Sequence, residues 1–228
     1  MATGSTLAEI RSNVTDLLGK SDATTTNRIT KWINLGQSDF ILRELWPFRE
    51  ATGTLATVAG TQEYDLSTNF SDLDEGNIIS VSIQGSNASK LVYWPYNQLR
   101  NDYPDFDAEA QSVPTRYYIK AGQIGFWPAP NDAYTIAIDY YKIPVELSAD
   151  SDQTIIPVNY RESLMHYALS LEHDFNTDPD LAIKAMNRYE NIVTLARQNL
   201  LAQPTDSGNF QIMGPDNSWT GRYFNESR

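Results

Sequence analysis

Apolar residues recur at helical spacing near both ends of the chain, and they alternate with polar residues in its middle. The segment Thr6-Leu-Ala-Glu9 is typical of a capping box, so we predict a first helix that begins there and ends at Gly19. A second helix is predicted to end at Pro47, which cannot continue it. Its apolar stripe is broad and therefore needs more than one packing partner. That stripe comprises Ile29, Trp32, Ile33, Gly36, Phe40, Ile41 and Leu45.

Two more helices are predicted in the last third of the chain. One starts near Pro157, and the other is predicted to be capped by Asp178-Pro179. The simplest packing that buries all four apolar stripes is a four-helix bundle, formed by residues 1–50 together with residues 154–203. The predicted fold class is therefore α+β, with residues 51–153 inserted into the bundle as an antiparallel β-domain.

The middle region predicts about seven strands, enough for a sandwich or a curled sheet. Residues 52–58 and 62–66 are predicted to form a first hairpin around an Ala-Gly turn, and residues 78–83 and 91–93 a second pair. Three further strands are predicted in residues 114–144, which read PTRYYIKAGQIGFWPAPNDAYTIAIDYYKIP. In that passage aromatic and β-branched residues alternate with polar ones, which indicates a small antiparallel unit.

The acidic groups of the chain are concentrated in the same middle region. The whole chain carries 17 Lys and Arg against 29 Asp and Glu. Residues 1–50 have 6 basic and 6 acidic groups, whereas residues 51–153 have 5 basic and 14 acidic groups, a net of −9. Because nucleic-acid affinity comes largely from cations that displace condensed counterions, this region is not expected to bind a phosphate backbone. Its acidity indicates either a solubility surface or a wall that repels passing DNA.

Length and composition exclude several classes of protein. With 228 residues and 41% hydrophobic content, the chain can bury a substantial core. It has no apolar run of the roughly 18 residues needed to span a bilayer and no signal-peptide pattern, so we expect a soluble protein without membrane contact. Because the chain contains no cysteine, disulfides, thiolate zinc sites and cysteine nucleophiles are excluded.

Candidate catalytic chemistry is weak, and we predict no enzyme, no cofactor and no metal site. The chain has no Gly-rich phosphate loop, no GxSxG and no HExxH. His166 and His173 share a helix face, but a core or surface role is favoured over a metal site. Trp94, Trp127 and the tyrosine pairs 117–118 and 140–141 could form a sugar-stacking platform. Core packing is favoured for them, because one member of each strand pair faces the core.

Two segments are candidate interaction sites. The first is an exposed acidic loop, predicted to face a channel, that contains Asp102, Asp105, Asp107 and Glu109. The second is an extended C-terminal arm, residues 204–228, whose large apolar residues either fold back on their own domain or anchor the arm to a partner. These residues are Phe210, Ile212, Met213, Trp219, Tyr223 and Phe224.

The order of these parts resembles that of a known family. The second predicted helix reads WINLGQSDFILRELWPF, and a strand ends in Phe126-Trp127-Pro128-Ala-Pro130. A Tyr140-Tyr141-Lys142-x-Pro144 run follows, and then the helical passage IIPVNYRESLMHYALSLEHD. Over nearly its whole length the chain resembles the head-to-tail adaptor proteins of tailed bacteriophages, which are called tail tubular protein A in some short-tailed phages. The family has no catalytic residues to carry over.

The resemblance implies a structural role in the virion neck, after synthesis in the host cytoplasm. It implies a ring of twelve copies that binds the portal protein, extends the DNA channel and contacts a downstream tail or nozzle protein. Double-stranded DNA would pass without specific binding, which suits the acidic region, and the C-terminal arm would dock on the portal. Two alternatives stay open: another neck or tail component, such as a stopper or nozzle, and a glycan-binding β-module.

Overall fold

The computed structural model describes residues 5–85, 88–105 and 110–201. These residues contain six α-helices and two four-stranded sheets, which establishes the α+β class that the sequence predicts. The helices are α1 (Leu7–Leu18), α2 (Ala23–Leu42), α3 (Leu66–Asn69), α4 (Tyr96–Asp102), α5 (Glu162–Phe175) and α6 (Pro179–Leu200).

Both ends of α1 form as predicted. The hydroxyl of Thr6 accepts a hydrogen bond from the backbone N–H of Glu9 at 3.2 Å, and the Glu9 carboxylate accepts one from the N–H of Thr6 at 3.1 Å. Gly19 ends the helix with a φ of 63°, a left-handed conformation that favours glycine. The signals that specify α1 are therefore local, and they lie within its own sequence.

The predicted end of α2 is wrong, and α6 begins at Asp178-Pro179 as predicted but without the side-chain cap. Helix α2 ends at Leu42, and Pro47 instead begins a short 3-10 helix, because buried Trp46 folds the chain back over the end of α2. The indole N–H of Trp46 donates to the Phe40 carbonyl at 2.8 Å, which fixes this reversal. Asp178 precedes α6 without a side-chain capping bond, because its φ of −108° and ψ of 71° lie outside the extended conformation typical of a cap.

The four long helices share one hydrophobic cluster. Helix α5 packs along α6 and α2, and α1 contacts α2 and α5. Close packing at Gly36 brings α2 against Tyr167 of α5, since a Cβ added there would lie 2.9 Å from the tyrosine ring. Residues from the two ends of the chain thus form one core. Its buried side chains include Leu7, Val14, Ile29, Ile33, Phe40, Leu164, Tyr189 and Val193.

Two sheets are formed by the middle of the chain. The strands are β1 (Glu50–Ala56), β2 (Glu63–Asp65), β3 (Leu73–Ile83), β4 (Ser89–Lys90), β5 (Val92–Tyr93), β6 (Arg116–Lys120), β7 (Gln123–Trp127) and β8 (Thr135–Lys142). The first sheet has the order β1-β8-β3-β4 and the second has the order β2-β7-β6-β5. The pairs are antiparallel except for β5 and β6, which are parallel.

The predicted first hairpin is wrong, because β1 and β2 belong to different sheets. Strand β1 pairs with β8 along its full length, and β2 pairs with β7. The segment that connects β1 and β2 is hydrogen-bonded to the segment that connects β7 and β8. Thr57 N–H donates to the Tyr134 carbonyl at 2.9 Å, and Gly60 N–H donates to the Pro130 carbonyl at 2.8 Å. The second predicted pair is also wrong, since β3 pairs with β4 while β5 pairs with β6. The hairpin of β6 and β7 forms as predicted.

Both sheets contribute to a second hydrophobic cluster. The first sheet supplies Val81, Ile136 and Ile138, and the second supplies Ile124 and Phe126. A third, smaller cluster lies on the other face of the second sheet and includes Leu99 of α4, Tyr118 and Trp127. The second sheet is therefore covered on both faces.

Candidate functional site

The two predicted interaction segments are only partly within the described residues. The six arm residues lie outside them: Phe210, Ile212, Met213, Trp219, Tyr223 and Phe224. Asp107 and Glu109 of the predicted acidic loop also lie outside. Asp102 ends α4 and Asp105 lies in the following turn, and both side chains are exposed. The acidic segment therefore begins as a helix and not as a loop, because Leu99 anchors α4 in the third cluster.

His166 and His173 both lie on α5, and the structure gives His166 a core position. Its exposed fraction is 8%, and burial together with the charge of Arg188 lowers its pKa below the ordinary value of 6.5. His166 Nδ1 and the hydroxyl of Ser163 are buried without a hydrogen-bond partner among the described residues. The same part of the chain contains no group of three or more His, Asp or Glu side chains arranged to hold a metal ion.

The aromatic residues considered for sugar stacking are packed inside the β-region. Tyr117 and Tyr118 are 8% and 1% exposed, and they belong to clusters on opposite faces of β6. Trp127 is 9% exposed, and the guanidinium of Arg116 lies 3.6 Å from the centre of the Trp94 ring. Buried or covered rings of this kind cannot offer a flat platform to a sugar.

A buried ion pair connects α2 with α5. Arg28 Nε and Nη2 donate to the Glu172 carboxylate at 2.7 and 2.5 Å, and the Trp32 indole N–H donates at 3.3 Å. The Glu172 side chain is fully buried. Burial would raise the pKa of Glu172, but the hydrogen bonds from Arg28, Asn176 and Trp32 outweigh it and hold that pKa below its usual 4.5. The charged pair therefore fixes the spacing of the two helices.

Arg49 joins the helical part to the β-part. Its guanidinium donates to the carbonyls of Ile41 and Glu44 near the end of α2, at 3.3 and 3.2 Å. It also donates to the carbonyl of Lys142 at the end of β8, at 2.8 Å, and to the carboxylate of Asp74 in β3, at 2.9 Å. The Arg49 side chain is only 2% exposed. One buried cation therefore sets how the first sheet meets the helices.

A groove of about 440 Å³ runs between α2 and residues 143–147, which continue the chain after β8. The Asn34 amide exchanges two hydrogen bonds with the backbone of Leu147, both at 2.9 Å, and Gln37 Nε2 donates to Val145 O at 2.8 Å. The side chains of Asn34 and Gln37 therefore hold the backbone of residues 143–147 alongside α2. The groove is lined by Lys31, Trp32, Asn34, Leu35, Gln37, Ser38, Pro144 and Glu146.

The sequence interpretation missed both Arg49 and the groove. A charged residue inside the aromatic passage WPFRE was a signal for a buried cation, because such a residue needs several partners. The partners of Arg49 come from three separate segments, the end of α2, β3 and the end of β8, so local patterns could not identify them. The sequence Pro144-Val145-Glu146 contains no pattern that indicates a groove.

Comparisons with known proteins complete this description. Among the described residues, no helix is both long and apolar enough to cross a membrane. A search of curated proteins gave no match. The family model for the SU10 adaptor protein matches residues 5–211, which include the four long helices, both sheets and the start of the C-terminal arm. This match confirms the resemblance to phage head-to-tail adaptors and supports a structural role in the phage neck. The chain belongs to the SU10 adaptor protein family.

Proposed function

We propose that this protein is a structural head-to-tail adaptor that forms a ring of twelve copies under the portal of a DNA-filled capsid. The ring extends the DNA channel and carries the tail. Its partners are the portal protein, a downstream tail or nozzle protein, and neighbouring copies of the chain. Double-stranded DNA passes through without specific binding. The family match over residues 5–211 is the observation that carries this proposal.

The proposal assigns different tasks to the two parts of the fold. Residues 1–50 and 154–203 act as a four-helix bundle, and residues 51–153 act as the inserted β-domain. The separate hydrophobic clusters of helices and sheets support this division. The buried guanidinium of Arg49 supports a fixed orientation between the two parts, which a ring needs if it is to present the same surface twelve times.

The C-terminal arm, residues 204–228, is assigned to the portal contact. Its large apolar residues are the proposed anchors, because buried aromatic side chains supply most of the energy of many interfaces. The anchors closest to the end of the chain are Trp219, Tyr223 and Phe224.

Native mass spectrometry of the full-length protein mixed with its portal ring tests this function. We expect one adaptor copy to add for each portal subunit. Changing Trp219, Tyr223 and Phe224 together to Ser should abolish the addition, whereas the control changes Asn217→Ser and Asn225→Ser should leave it intact. Full binding by the triple variant would contradict the arm's role, and no binding by the natural chain would contradict the portal contact itself.

The acidic segment is assigned to the DNA channel. Changing Asp102, Asp105 and Asp107 to Asn and Glu109 to Gln removes four negative charges from residues 51–153, which carry a net of −9. We expect ring assembly to be unchanged and DNA release during infection to be impaired, because the channel wall then repels the DNA backbone less. Unchanged infectivity would indicate a solubility role only.

A further inference from the structure

We propose that the groove between α2 and residues 143–147 is a docking site for the chain's own residues 207–215. These residues form the first part of the C-terminal arm. In this proposal Phe210 and Ile212 are seated on the adaptor itself, and the more distant anchors remain for the portal. The proposal is independent of portal binding and goes beyond it, because it concerns the free adaptor.

Exposed apolar side chains border the groove on both sides. On α2, Leu35 and Leu42 are 49% and 60% exposed. They are seven residues apart, so they lie on one helix face about 10 Å from each other. On the other side, Pro144 lines the groove, and its ring is partly exposed. An apolar strip of this kind indicates a binding surface.

The groove is already formed without an occupant. Asn34 and Gln37 hold the backbone of residues 143–147 in place, so no refolding is needed before a segment docks. Gln37 is 2% exposed, and its Oε1 has no hydrogen-bond partner within the described part of the chain. A buried acceptor without a partner is destabilising, so a docked backbone N–H that reaches it would stabilise the complex.

The start of the arm is close enough to reach the groove. Arg197 near the end of α6 binds Glu44 at 2.8 Å, which places the end of α6 beside the end of α2. Glu44 is two residues past the end of α2, and Ser38 of the groove is four residues before that end, about 6 Å at helical rise. The nine residues from 202 to 210 span up to about 30 Å when extended. Phe210 can therefore reach the groove from its own chain.

The composition of residues 207–215 fits a groove that is lined by both apolar and polar side chains. The stretch SGNFQIMGP carries no charge, and Asp206 and Asp216 flank it on either side. In an extended backbone Phe210 and Ile212 point to the same side, as an apolar strip requires. A tether of this length gives an effective concentration on the order of millimolar, so even weak contacts would keep the groove occupied.

Disulfide trapping in the full-length protein tests the proposal, because the natural chain has no cysteine. The test pair is Ser38→Cys with Gln211→Cys, which leaves both proposed anchors unchanged. The control pair is Thr194→Cys with Gln211→Cys, since exposed Thr194 lies on α6, six residues or about 9 Å from the helix end where the arm begins, but outside the groove. We expect the test pair to form an intrachain disulfide at least about tenfold faster than the control pair. Adding Leu35→Asp, which places a charge in the lining of the groove, should remove this difference.

Equal rates for the two pairs would overturn the proposal. Disulfide-linked oligomers in place of the intrachain product would also overturn it, and they would assign the groove to a neighbouring copy. Hydrogen exchange of residues 142–148 gives a second readout. Phe210→Ser with Ile212→Ser should speed exchange there severalfold, whereas Trp219→Ser with Tyr223→Ser should not. Identical exchange in both variants would contradict docking in the groove.

Discussion

Two carboxylates, one in the helical part of the molecule and one in the β-part, are held in different ways. Between α2 and α5, the carboxylate of Glu172 is bound by the guanidinium of Arg28. In the first sheet, Asp139 accepts hydrogen bonds from the hydroxyls of Thr52 and Ser80, each at 2.6 Å. The hydrogen bonds from Ser80 and Thr52 lower the pKa of Asp139 below 3.8, so it stays charged at neutral pH. A guanidinium neutralises the negative charge of the carboxylate that it binds, whereas hydroxyl groups leave that charge in place.

This difference explains how one chain combines a neutral region with an acidic one. Residues 1–50 have equal numbers of basic and acidic groups, and arginines link their helices to the helices at the other end of the chain. Residues 51–153 keep a net charge of −9, because few cations are available there. Residues 51–153 are therefore the most acidic part of the chain, and a phosphate backbone is not expected to bind there.

The largest expected effect comes from removing the side chain that connects the two parts. Arg49→Met should lower the free energy of unfolding by about 3–5 kcal/mol, because it leaves Asp74 and three backbone carbonyls without their donor. Arg197→Met is the control, since this half-exposed ion pair should contribute less than about 1 kcal/mol. Urea denaturation measures both. Equal effects of the two changes would show that Arg49 does not join the two parts.

The two ways of holding a carboxylate are compared directly by Glu172→Gln and Asp139→Asn. Glu172→Gln should cost about 3 kcal/mol, because it leaves the Arg28 guanidinium without its counter-charge. Asp139→Asn should cost about 1 kcal/mol, since the replacement amide can still accept one hydroxyl. Denaturant titration at neutral pH checks the order, and a larger loss for Asp139→Asn would contradict the comparison.

Acid should weaken both parts. The folded-state pKa values of Glu172 and Asp139 lie below the ordinary 4.5 and 3.8, so their contributions are complete above those values. The contributions are lost as the pH falls from there through the folded-state pKa values. We therefore expect the free energy of unfolding to fall in this range, and Glu172→Gln should flatten the decrease. A profile unchanged by Glu172→Gln would show that this carboxylate is not the stabilising group.

Two glycines test how tightly each part is packed. A Cβ at Gly36 would lie 2.9 Å from the Tyr167 ring in the helical part, and one at Gly125 would lie 2.1 Å from the Tyr118 ring in the β-part. Gly36→Ala and Gly125→Ala should each cost about 1–3 kcal/mol, because both rings are enclosed by neighbours. Thermal denaturation of the two variants measures this cost. An unchanged melting temperature for Gly125→Ala would mean that Tyr118 can move aside and that the β-part packs more loosely.

The smallest expected effect is at the start of α1. Thr6→Ala removes the hydroxyl that accepts from Glu9 N–H, and it should cost about 1 kcal/mol. Thr6→Ser is the control, because serine keeps the hydroxyl. Amide exchange of the first turn should be faster in the alanine variant alone, and equal exchange in both variants would show that the capping box adds no stability.

The helices could be predicted from the sequence because their signals are local. The capping box at Thr6 and the stop at Gly19 lie within a few residues of the backbone groups that they satisfy. Strand pairing could not be predicted in this way. Strands β1 and β2 are neighbours in sequence but belong to different sheets, since β1 pairs with β8, more than 70 residues later. Turn residues such as Gly60 specify that the chain bends, and they do not specify which strand it meets.

Much of the candidate site also depends on distant contacts. Arg49 and the groove at Gln37 exist because separate segments meet, so neither has a spacing that a motif search could find. The acidic character of residues 51–153 was evident from composition alone. What composition could not show is that Asp139 is held by hydroxyls while Glu172 is held by a cation, because that choice depends on tertiary packing.

Electron cryomicroscopy of the full-length protein bound to its portal ring is the most direct test of the adaptor function. We expect a second ring of twelve copies, coaxial with the portal on its tail-facing side, with the helical part against the portal and neighbouring copies and the acidic β-part facing the channel. A portal without added density would contradict the adaptor function, and a ring whose channel is lined by the helices would contradict the assignment of the acidic β-part to the channel.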